Sequence, residues 1–253
     1  MLSRVTIENF KCFKAKTVID LQRTNYTILP QNVSSNGILK GLVFVGGNGS
    51  GKSTVLDALK LLLELMFEER NIRMPFYESL LSNKREFCIE YEFLVQNCKI
   101  TFQLKYDFGN KIFVEQLKKD KKLLLERVGN HARDYLEGET VYDSNLIKAD
   151  GLFLRTLYFN GRLVKDPVLS EWMDFLKNSK YVNAAPARLD EQEFSRESQV
   201  YYEHGGIEKI NEFLKAIGHD QRIRYTNVSE SGSYTVTAPE KILFYQREGL
   251  KVS

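Results

Sequence analysis

The sequence predicts an α/β fold that carries an antiparallel β lobe and inserted helices. Three observations support this prediction. A glycine-rich loop at residues 46–51 lies between a short apolar run and an amphipathic helical pattern. Apolar and polar residues alternate from Glu86 to Tyr106, which is typical of antiparallel strands with one buried face. Apolar residues at helical spacing follow after residue 160.

The composition is that of an ordinary globular protein. The 253 residues are 43% hydrophobic and 27% charged, and the net charge of +3 is too small by itself to indicate a nucleic-acid partner. Three cysteines without a C-x-x-C pair suggest neither a disulfide framework nor a zinc site. Because the sequence contains no signal-peptide core and no apolar run of membrane length, we expect a cytoplasmic protein without membrane contact.

The stretch VFVGGNGSGKST, residues 43–54, contains the phosphate-binding pattern G-x-x-x-x-G-K-[ST]. Before it, the apolar run GLVFV at residues 41–45 predicts a buried strand. After it, apolar residues at steps of three and four predict a helix from about Lys52 to Glu68. These apolar positions are Val55, Leu56, Leu59, Leu62, Leu63 and Met66. A strand, a loop and a helix in this order are the context that a P-loop requires.

The residues of this loop suit the binding of a polyphosphate. Glycines let the backbone approach an anion, and the N–H groups of the loop and of the helix N-terminus point towards it. Lys52 is expected to contact the β- and γ-phosphates as the catalytic residue, and the Ser53 hydroxyl is expected to bind Mg²⁺. The expected nucleotide-binding residues are Gly46, Gly47, Asn48, Gly49, Ser50, Gly51, Lys52, Ser53 and Thr54. A glycine-rich turn that only caps a helix would not explain the lysine.

The loop interior, G-x-N-G-S-G-K-S-T, follows the stretch VTIENFKCFKAKTVIDL, which reads as a strand, an Asn-Phe-Lys turn and a second strand. This pairing resembles ABC-type ATPases of the group that holds SMC proteins, the RecF repair protein and the overcoming-lysogenization-defect nucleases. Two later stretches, FLRTLYFNG (153–161) and GGIEKINEFLKAIG (205–218), resemble AAA-family ATP-binding proteins of prokaryotic phage-defence and abortive-infection systems.

This resemblance implies ATP as the nucleotide, Mg²⁺ as its metal ion and a head-to-tail homodimer or higher homo-oligomer. It also implies that Lys11, the lysine of the Asn-Phe-Lys turn, lies near the nucleotide. The alternative for Lys11 is an exposed lysine in a tight turn. The residue that contacts the base is left open, because Phe10, Phe13 and Tyr26 are all aromatic and each is more simply explained as part of the core.

The remaining chain is expected to form the rest of the N-terminal part of one such ATPase domain. A third strand is predicted near residues 111–117, helices at Pro167 to Asn178 and Ile207 to Ile217, and short strands from Arg222 onwards. The lysines between the strands, Lys118, Lys119, Lys121 and Lys122, are interpreted as a solvated turn rather than a phosphate-backbone contact. The expected divisions are a P-loop core (1–70), an antiparallel β lobe (84–160), a helical insertion (161–220) and returning strands (221–253).

Hydrolysis in this class requires a strand of four apolar residues that ends in Asp-Glu, which hold the metal and activate water. The sequence contains no such element. The stretch SESGS, residues 229–233, has the letters of a signature motif, but it is expected to be a turn with no helix after it. Three explanations are open: a longer natural chain with the signature helix beyond Ser253, which we favour, a second polypeptide that completes the ATPase, or a module that does not hydrolyse alone.

The expected function is ATP binding and, in the complete assembly, ATP hydrolysis that drives a dimeric switch. By resemblance, the switch would control an effector protein, such as a nuclease or toxin, in antiphage defence. One alternative is a nucleotide-gated binding or assembly module without hydrolysis. Another is a repair or recombination ATPase of the RecF or SMC type, for which DNA would be a partner.

Overall fold

The computed structural model describes most of the chain, in two compact units at residues 1–181 and 182–253. The described residues are 1–25, 29–68, 72–142, 147–179, 181, 207–216, 222–228, 231–238, 241–246 and 249–250.

The first unit is built on an eight-stranded antiparallel sheet with the strand order β2-β1-β3-β4-β5-β6-β7-β8. Its strands are β1 (Leu2–Glu8), β2 (Thr17–Asp20), β3 (Glu86–Val95), β4 (Cys98–Asp107), β5 (Ile112–Lys119), β6 (Lys122–Val128), β7 (His131–Asp134) and β8 (Thr140–Tyr142). From β3 onwards, each strand pairs with the next one in the chain. The two strands that precede the P-loop therefore extend the same sheet as the strands that follow it.

The predicted alternation in the β3–β4 hairpin is confirmed. Phe87 lies opposite Tyr106 and Tyr91 lies opposite Phe102. The alternating apolar side chains of the two strands are all buried. They are Phe87, Ile89, Tyr91, Phe93 and Val95 in β3, and Ile100, Phe102, Leu104 and Tyr106 in β4. The period of two in the sequence thus gives this sheet one apolar face that must be covered.

Three helices, α1 (Lys52–Phe67), α2 (Phe153–Phe159) and α3 (Pro167–Asn178), contribute residues to the core of the first unit. The Tyr91 hydroxyl donates a 2.6 Å hydrogen bond to the carbonyl oxygen of Ala58 in α1. The ring of Trp172 in α3 lies 5.5 Å from that of Phe93, and Trp172 is fully buried. Aromatic side chains of β3 therefore contact both α1 and α3.

A buried ion pair positions α2. The guanidinium of Arg127 lies 2.9 Å from the Glu115 carboxylate, and both side chains are almost completely buried. The same carboxylate accepts the backbone N–H groups of Phe153 and Leu154 at 2.7 and 3.0 Å. Because the first N–H groups of a helix lack intrahelical partners, Glu115 caps α2 from a neighbouring strand.

The predicted strand at residues 41–45 is not formed, so this prediction is wrong. The segment has no regular secondary structure, and Val43 and Val45 are 81% and 87% exposed. A strand is stable only when neighbouring strands satisfy its N–H and C=O groups. Within the described residues, no other strand pairs with this segment. The apolar composition alone was therefore insufficient to define a strand.

The predicted helix at the P-loop is confirmed as α1, but its buried face differs from the predicted one. Val55, Leu62 and Met66 are buried as expected, whereas Leu56 is 42% exposed. The buried face also includes Ala58, Leu61 and Leu65. Because α1 is apolar on most sides, the three- and four-residue spacing fits more than one face. Two predicted apolar positions in other helices, Phe175 and Phe213, are also exposed.

The second unit contains the helix α4 (Ile207–Ala216) and a four-stranded antiparallel sheet with the order β12-β11-β10-β9. Its strands are β9 (Arg222–Val228), β10 (Ser231–Ala238), β11 (Lys241–Gln246) and β12 (Gly249–Leu250). The returning strands are thus confirmed, but Ser231 and Gly232, expected in a turn, belong to β10. They pair there with Val228 and Asn227, so the backbone ladder extends into the predicted turn.

Candidate functional site

The glycine-rich loop leads directly into α1, whose first residue is Lys52. Gly49 and Gly51 have φ angles of +79° and +92°, which glycine adopts without strain. Gly46 also has a positive φ, whereas Gly47 does not. At Gly51 a Cβ atom would lie 2.8 Å from the Phe13 ring, so both backbone conformation and space require glycine there.

The N-terminus of α1 has the electrostatic character of an anion site. No side chain caps it, and its first turn contains no acidic residue. The N–H groups at a helix start lack intrahelical partners and carry the positive end of the helix dipole. Ser53 is exposed in this turn. The helix start therefore has backbone donors and an exposed hydroxyl that suit an anionic ligand.

The ammonium of Lys52 lies within the loop. Its Nζ atom donates hydrogen bonds of 2.7 Å to the carbonyl oxygens of both Gly46 and Gly47 and lies 3.4 Å from the Ser50 hydroxyl. These bonds place a positive charge at the loop. The acceptors are neutral carbonyl oxygens, so the bonds do not neutralise that charge. A phosphate oxygen carries negative charge that a carbonyl oxygen lacks, so the added Coulomb attraction would let a phosphate compete favourably for Lys52.

The Asn-Phe-Lys turn at residues 9–13 packs along the loop and the start of α1. The Phe13 ring is in contact with Gly51, and the Cys12 thiol lies 3.1 Å from the Thr54 hydroxyl. Thr54 itself is buried. Of the predicted nucleotide-binding residues, Thr54 is therefore the one whose side chain faces the turn.

Lys11 lies beside α1 and is held there by a carboxylate. Its Nζ atom lies 2.5 Å from Oδ2 of Asp57 and 4.0 Å from the centroid of the Phe76 ring. Both members of the ion pair are largely buried, with 22% and 18% of their side chains exposed. The structure thus brings Lys11 close to the P-loop helix, while its contact with a nucleotide stays a prediction.

Asp57 and Phe76 both contact the Lys11 ammonium, and the sequence alone predicts neither contact. Asp57 had a usable signal, because it lies four residues after Ser53 and helical residues at this spacing share a face. Phe76 belongs to a 3₁₀ turn, Met74–Tyr77, and the surrounding sequence has no regular apolar period. No local pattern points to it.

The aromatic residues considered for the base differ in their surroundings. Phe10 is fully buried, with its ring 5.3 Å from that of Tyr77 and 5.2 Å from that of Phe87, so it is a core residue. Phe13 is half-buried against Gly51. Tyr26 lies outside the described residues.

Other chemical sites are not evident in the described part of the chain. No group of three or more His, Cys, Asp or Glu residues is arranged to hold a metal ion there. Asp20, at the end of β2, is 2.7 Å from Arg4 and also accepts the Gln22 N–H. The Gln22 N–H and then Arg4 lower the pKa of Asp20, consistent with a surface ion pair. None of the described helices has the length and apolar character needed to span a membrane.

One family model matches most of the chain. A family model described as an AAA ATPase domain matches residues 1–232, which is 232 of the 253 residues. The match includes the loop, α1 and the turn at residues 9–13. No curated protein sequence matches the chain.

Proposed function

The chain belongs to the AAA ATPase domain family, and from this premise we propose that residues 46–54 bind ATP with Mg²⁺. The observation that carries the proposal is the uncapped N-terminus of α1, which starts at Lys52 and has no acidic residue in its first turn. Such a site favours a polyanion over any neutral ligand.

Each part of the loop has a role in this proposal. Backbone N–H groups of the loop and of the first turn of α1 would hold the phosphates, and Lys52 would leave the carbonyl oxygens of Gly46 and Gly47 to bind the β- and γ-phosphates. The Ser53 hydroxyl would supply the protein ligand of the metal, because Mg²⁺ in such sites takes most of its ligands from phosphate and water. When bound there, the ion would supply positive charge to the phosphate oxygens.

ATP hydrolysis requires a carboxylate that activates water, and the described residues contain no strand that ends in Asp-Glu. We therefore propose that this group comes from a further segment or from a second subunit in an ABC-type dimer. The dimeric switch would control an effector protein in antiphage defence, as the resemblance to defence ATPases implies. Lys11 would lie near the nucleotide in this assembly.

The first experiment compares ATP binding by the unmodified protein and by Lys52→Ala, using isothermal titration calorimetry with Mg²⁺ present. Loss of the loop ammonium is expected to weaken ATP binding at least tenfold, or about 1.4 kcal/mol, because charge-assisted bonds to phosphate disappear. Lys177→Ala is the matched control, since Lys177 is an exposed lysine near the end of α3. Equal ATP affinity in the three proteins, all with unchanged melting temperature, would refute the proposed site.

A nucleotide-gated assembly module is the second candidate, and the missing Asp-Glu strand favours it. Sedimentation with and without ATP, combined with a phosphate-release assay on the full-length protein and its partners, separates the two. Phosphate release that Lys52→Ala abolishes supports the ATPase. ATP-dependent association without phosphate release supports the assembly module.

A further inference from the structure

Phe76 is an exposed aromatic residue on a well-ordered framework. Its side chain is 66% exposed, whereas the next residue, Tyr77, is only 6% exposed. The two rings make an edge-to-face contact at 5.5 Å and 81°. A phenylalanine that is mostly in water contributes little to the core, so packing does not explain its place in this turn.

The turn that carries Phe76 is anchored to α1 and to the turn at residues 9–13. The Tyr77 hydroxyl is 3.3 Å from the Glu64 carboxylate of α1, and the Lys11 N–H donates a 3.1 Å hydrogen bond to the Tyr77 carbonyl oxygen. Burial, together with the Glu64 carboxylate, raises the pKa of Tyr77, so its hydroxyl remains protonated as a donor. Pro75 restricts the backbone immediately before Phe76. These contacts therefore hold the exposed Phe76 ring in position before any ligand binds.

Phe76 and the phosphate-binding loop lie on opposite sides of the same short turn. On one side, Phe13 contacts Gly51 at the end of the loop. On the other side, Lys11 places its ammonium between Asp57 and the Phe76 ring, 4.0 Å from the ring centroid. Because Asp57 is five residues from Lys52, it lies about 7.5 Å along the helix axis from the site of the phosphates. A nucleoside that extends this distance from the loop along α1 would lie next to the Lys11 ammonium and the Phe76 ring.

We propose that Phe76 is the platform on which the base of the bound nucleotide stacks. The proposal rests on the function proposed above and adds the contact that recognises the base. Lys11 covers part of the ring, and the high exposure leaves the rest available for a flat heterocycle. Stacking of a base on an aromatic side chain is favourable for any base, so Phe76 supplies affinity while other contacts select adenine. Lys11 fixes the ring by a cation–π contact and lies between the base and the phosphates.

The apolar side chains of Leu80 and Leu81 are also exposed, at 94% and 61%, so a protein contact through Phe76 is the competing interpretation. The position of the ring favours the nucleotide, because the turn at residues 9–13 contacts Phe76 through Lys11 and the P-loop through Phe13. The experiment below distinguishes the two.

The test measures the binding of ATP and of inorganic tripolyphosphate, each with Mg²⁺, by calorimetry. Tripolyphosphate has no base, so it reports on the loop alone. Phe76→Ala is expected to weaken ATP binding about tenfold and to leave tripolyphosphate binding unchanged. Phe76→Tyr keeps a ring and should retain the ATP affinity, whereas Phe76→Leu should behave as the alanine variant. The matched control is Phe159→Ala, because Phe159 is 61% exposed and lies 4.9 Å from the Arg155 guanidinium on α2.

The outcomes separate this inference from the function on which it rests. If the unmodified protein binds neither ligand, the proposed ATP site is wrong. If it binds both and Phe76→Ala retains full ATP affinity, only the stacking platform is wrong, and a changed sedimentation coefficient would then assign Phe76 to a protein contact. Equal loss of ATP and tripolyphosphate binding would also overturn the platform, since it would mean that Phe76 supports the loop structure.

Discussion

Gly51→Ala is expected to destabilise the first unit by about 3 kcal/mol, for two separable reasons. The residue has a φ of +92°, and a side chain in a left-handed conformation costs roughly 1–2 kcal/mol. The new Cβ would also lie 2.8 Å from Cζ of Phe13 and 3.3 Å from Sγ of Cys12. Relieving this overlap by moving a half-buried ring costs roughly 1–3 kcal/mol, as other cases of overpacking do.

The assay is thermal and urea denaturation of the variant beside Gly47→Ala. Gly47 is a suitable control because it has no positive φ and its added Cβ would meet nothing within 4 Å. A loss of about 3 kcal/mol corresponds to a fall in Tm of roughly 6–12 °C for a domain of this size, whereas the control should change little. Equal Tm values for the two variants would refute the close approach of Phe13 to the loop.

A double-mutant cycle separates the two causes. In a Phe13→Leu background the ring is gone, so Gly51→Ala should cost only the backbone part, about 1–2 kcal/mol. If the cost of Gly51→Ala is the same with and without the Phe13 ring, the steric part of the reasoning is wrong, although the backbone part survives.

Three further predictions follow from the same structure. Cys12 is exposed, whereas burial raises the pKa of the Cys88 thiol to about 11. Maleimide should therefore label Cys12 before Cys88, and ATP with Mg²⁺ should slow the labelling of Cys12, both measured by peptide mass spectrometry. Arg127→Met leaves the buried Glu115 carboxylate without its cation and should cost roughly 3–5 kcal/mol in urea denaturation, with part of the loss recovered by adding Glu115→Gln. Burial acts to raise the pKa of Asp166, but the hydrogen bonds from Lys119 and from the α3 N–H groups lower this pKa by more. The contribution of Asp166 to the free energy of unfolding is therefore fully present above its unfolded pKa of ~4 and is lost as the pH falls through its lower folded pKa. The stability advantage of the unmodified protein over Asp166→Asn should therefore shrink on acidification.

The elements predicted correctly are those whose structure depends on local sequence. The alternation from Glu86 to Tyr106 specifies which side chains face the core, and each strand finds its partner in the next segment of the chain. The helix after Lys52 is similarly specified by its own apolar residues and by the glycine before it. The strand expected at residues 41–45 differs, because its formation depends on hydrogen-bond partners that sequence composition does not reveal.

The candidate site likewise contains residues that local sequence predicts and residues that only long-range contacts bring together. The phosphate-binding pattern predicts the loop, since its glycines, Lys52 and Ser53 lie within nine residues of the sequence. By contrast, the pairing of Lys11 with Asp57 joins residues 46 positions apart. Phe76 is brought to the same surface by long-range contacts, such as those of Tyr77 with α1 and with the turn at residues 9–13. No local period encodes such contacts, so these residues required the structure.

Gly51 illustrates how a motif residue serves two requirements at once. The motif explains its glycine by the approach of a phosphate to the backbone. The structure adds that the Phe13 ring occupies the space a side chain would need, and Phe13 belongs to a turn anchored to the sheet through Asn9, which donates to the Lys84 and Glu86 carbonyl oxygens. Gly51 is thus required for the packing of the first unit independently of any nucleotide. Loss of ATP binding in a Gly51 variant would therefore not by itself identify a phosphate contact, which is why Lys52→Ala and the tripolyphosphate measurement are the sharper tests of the site.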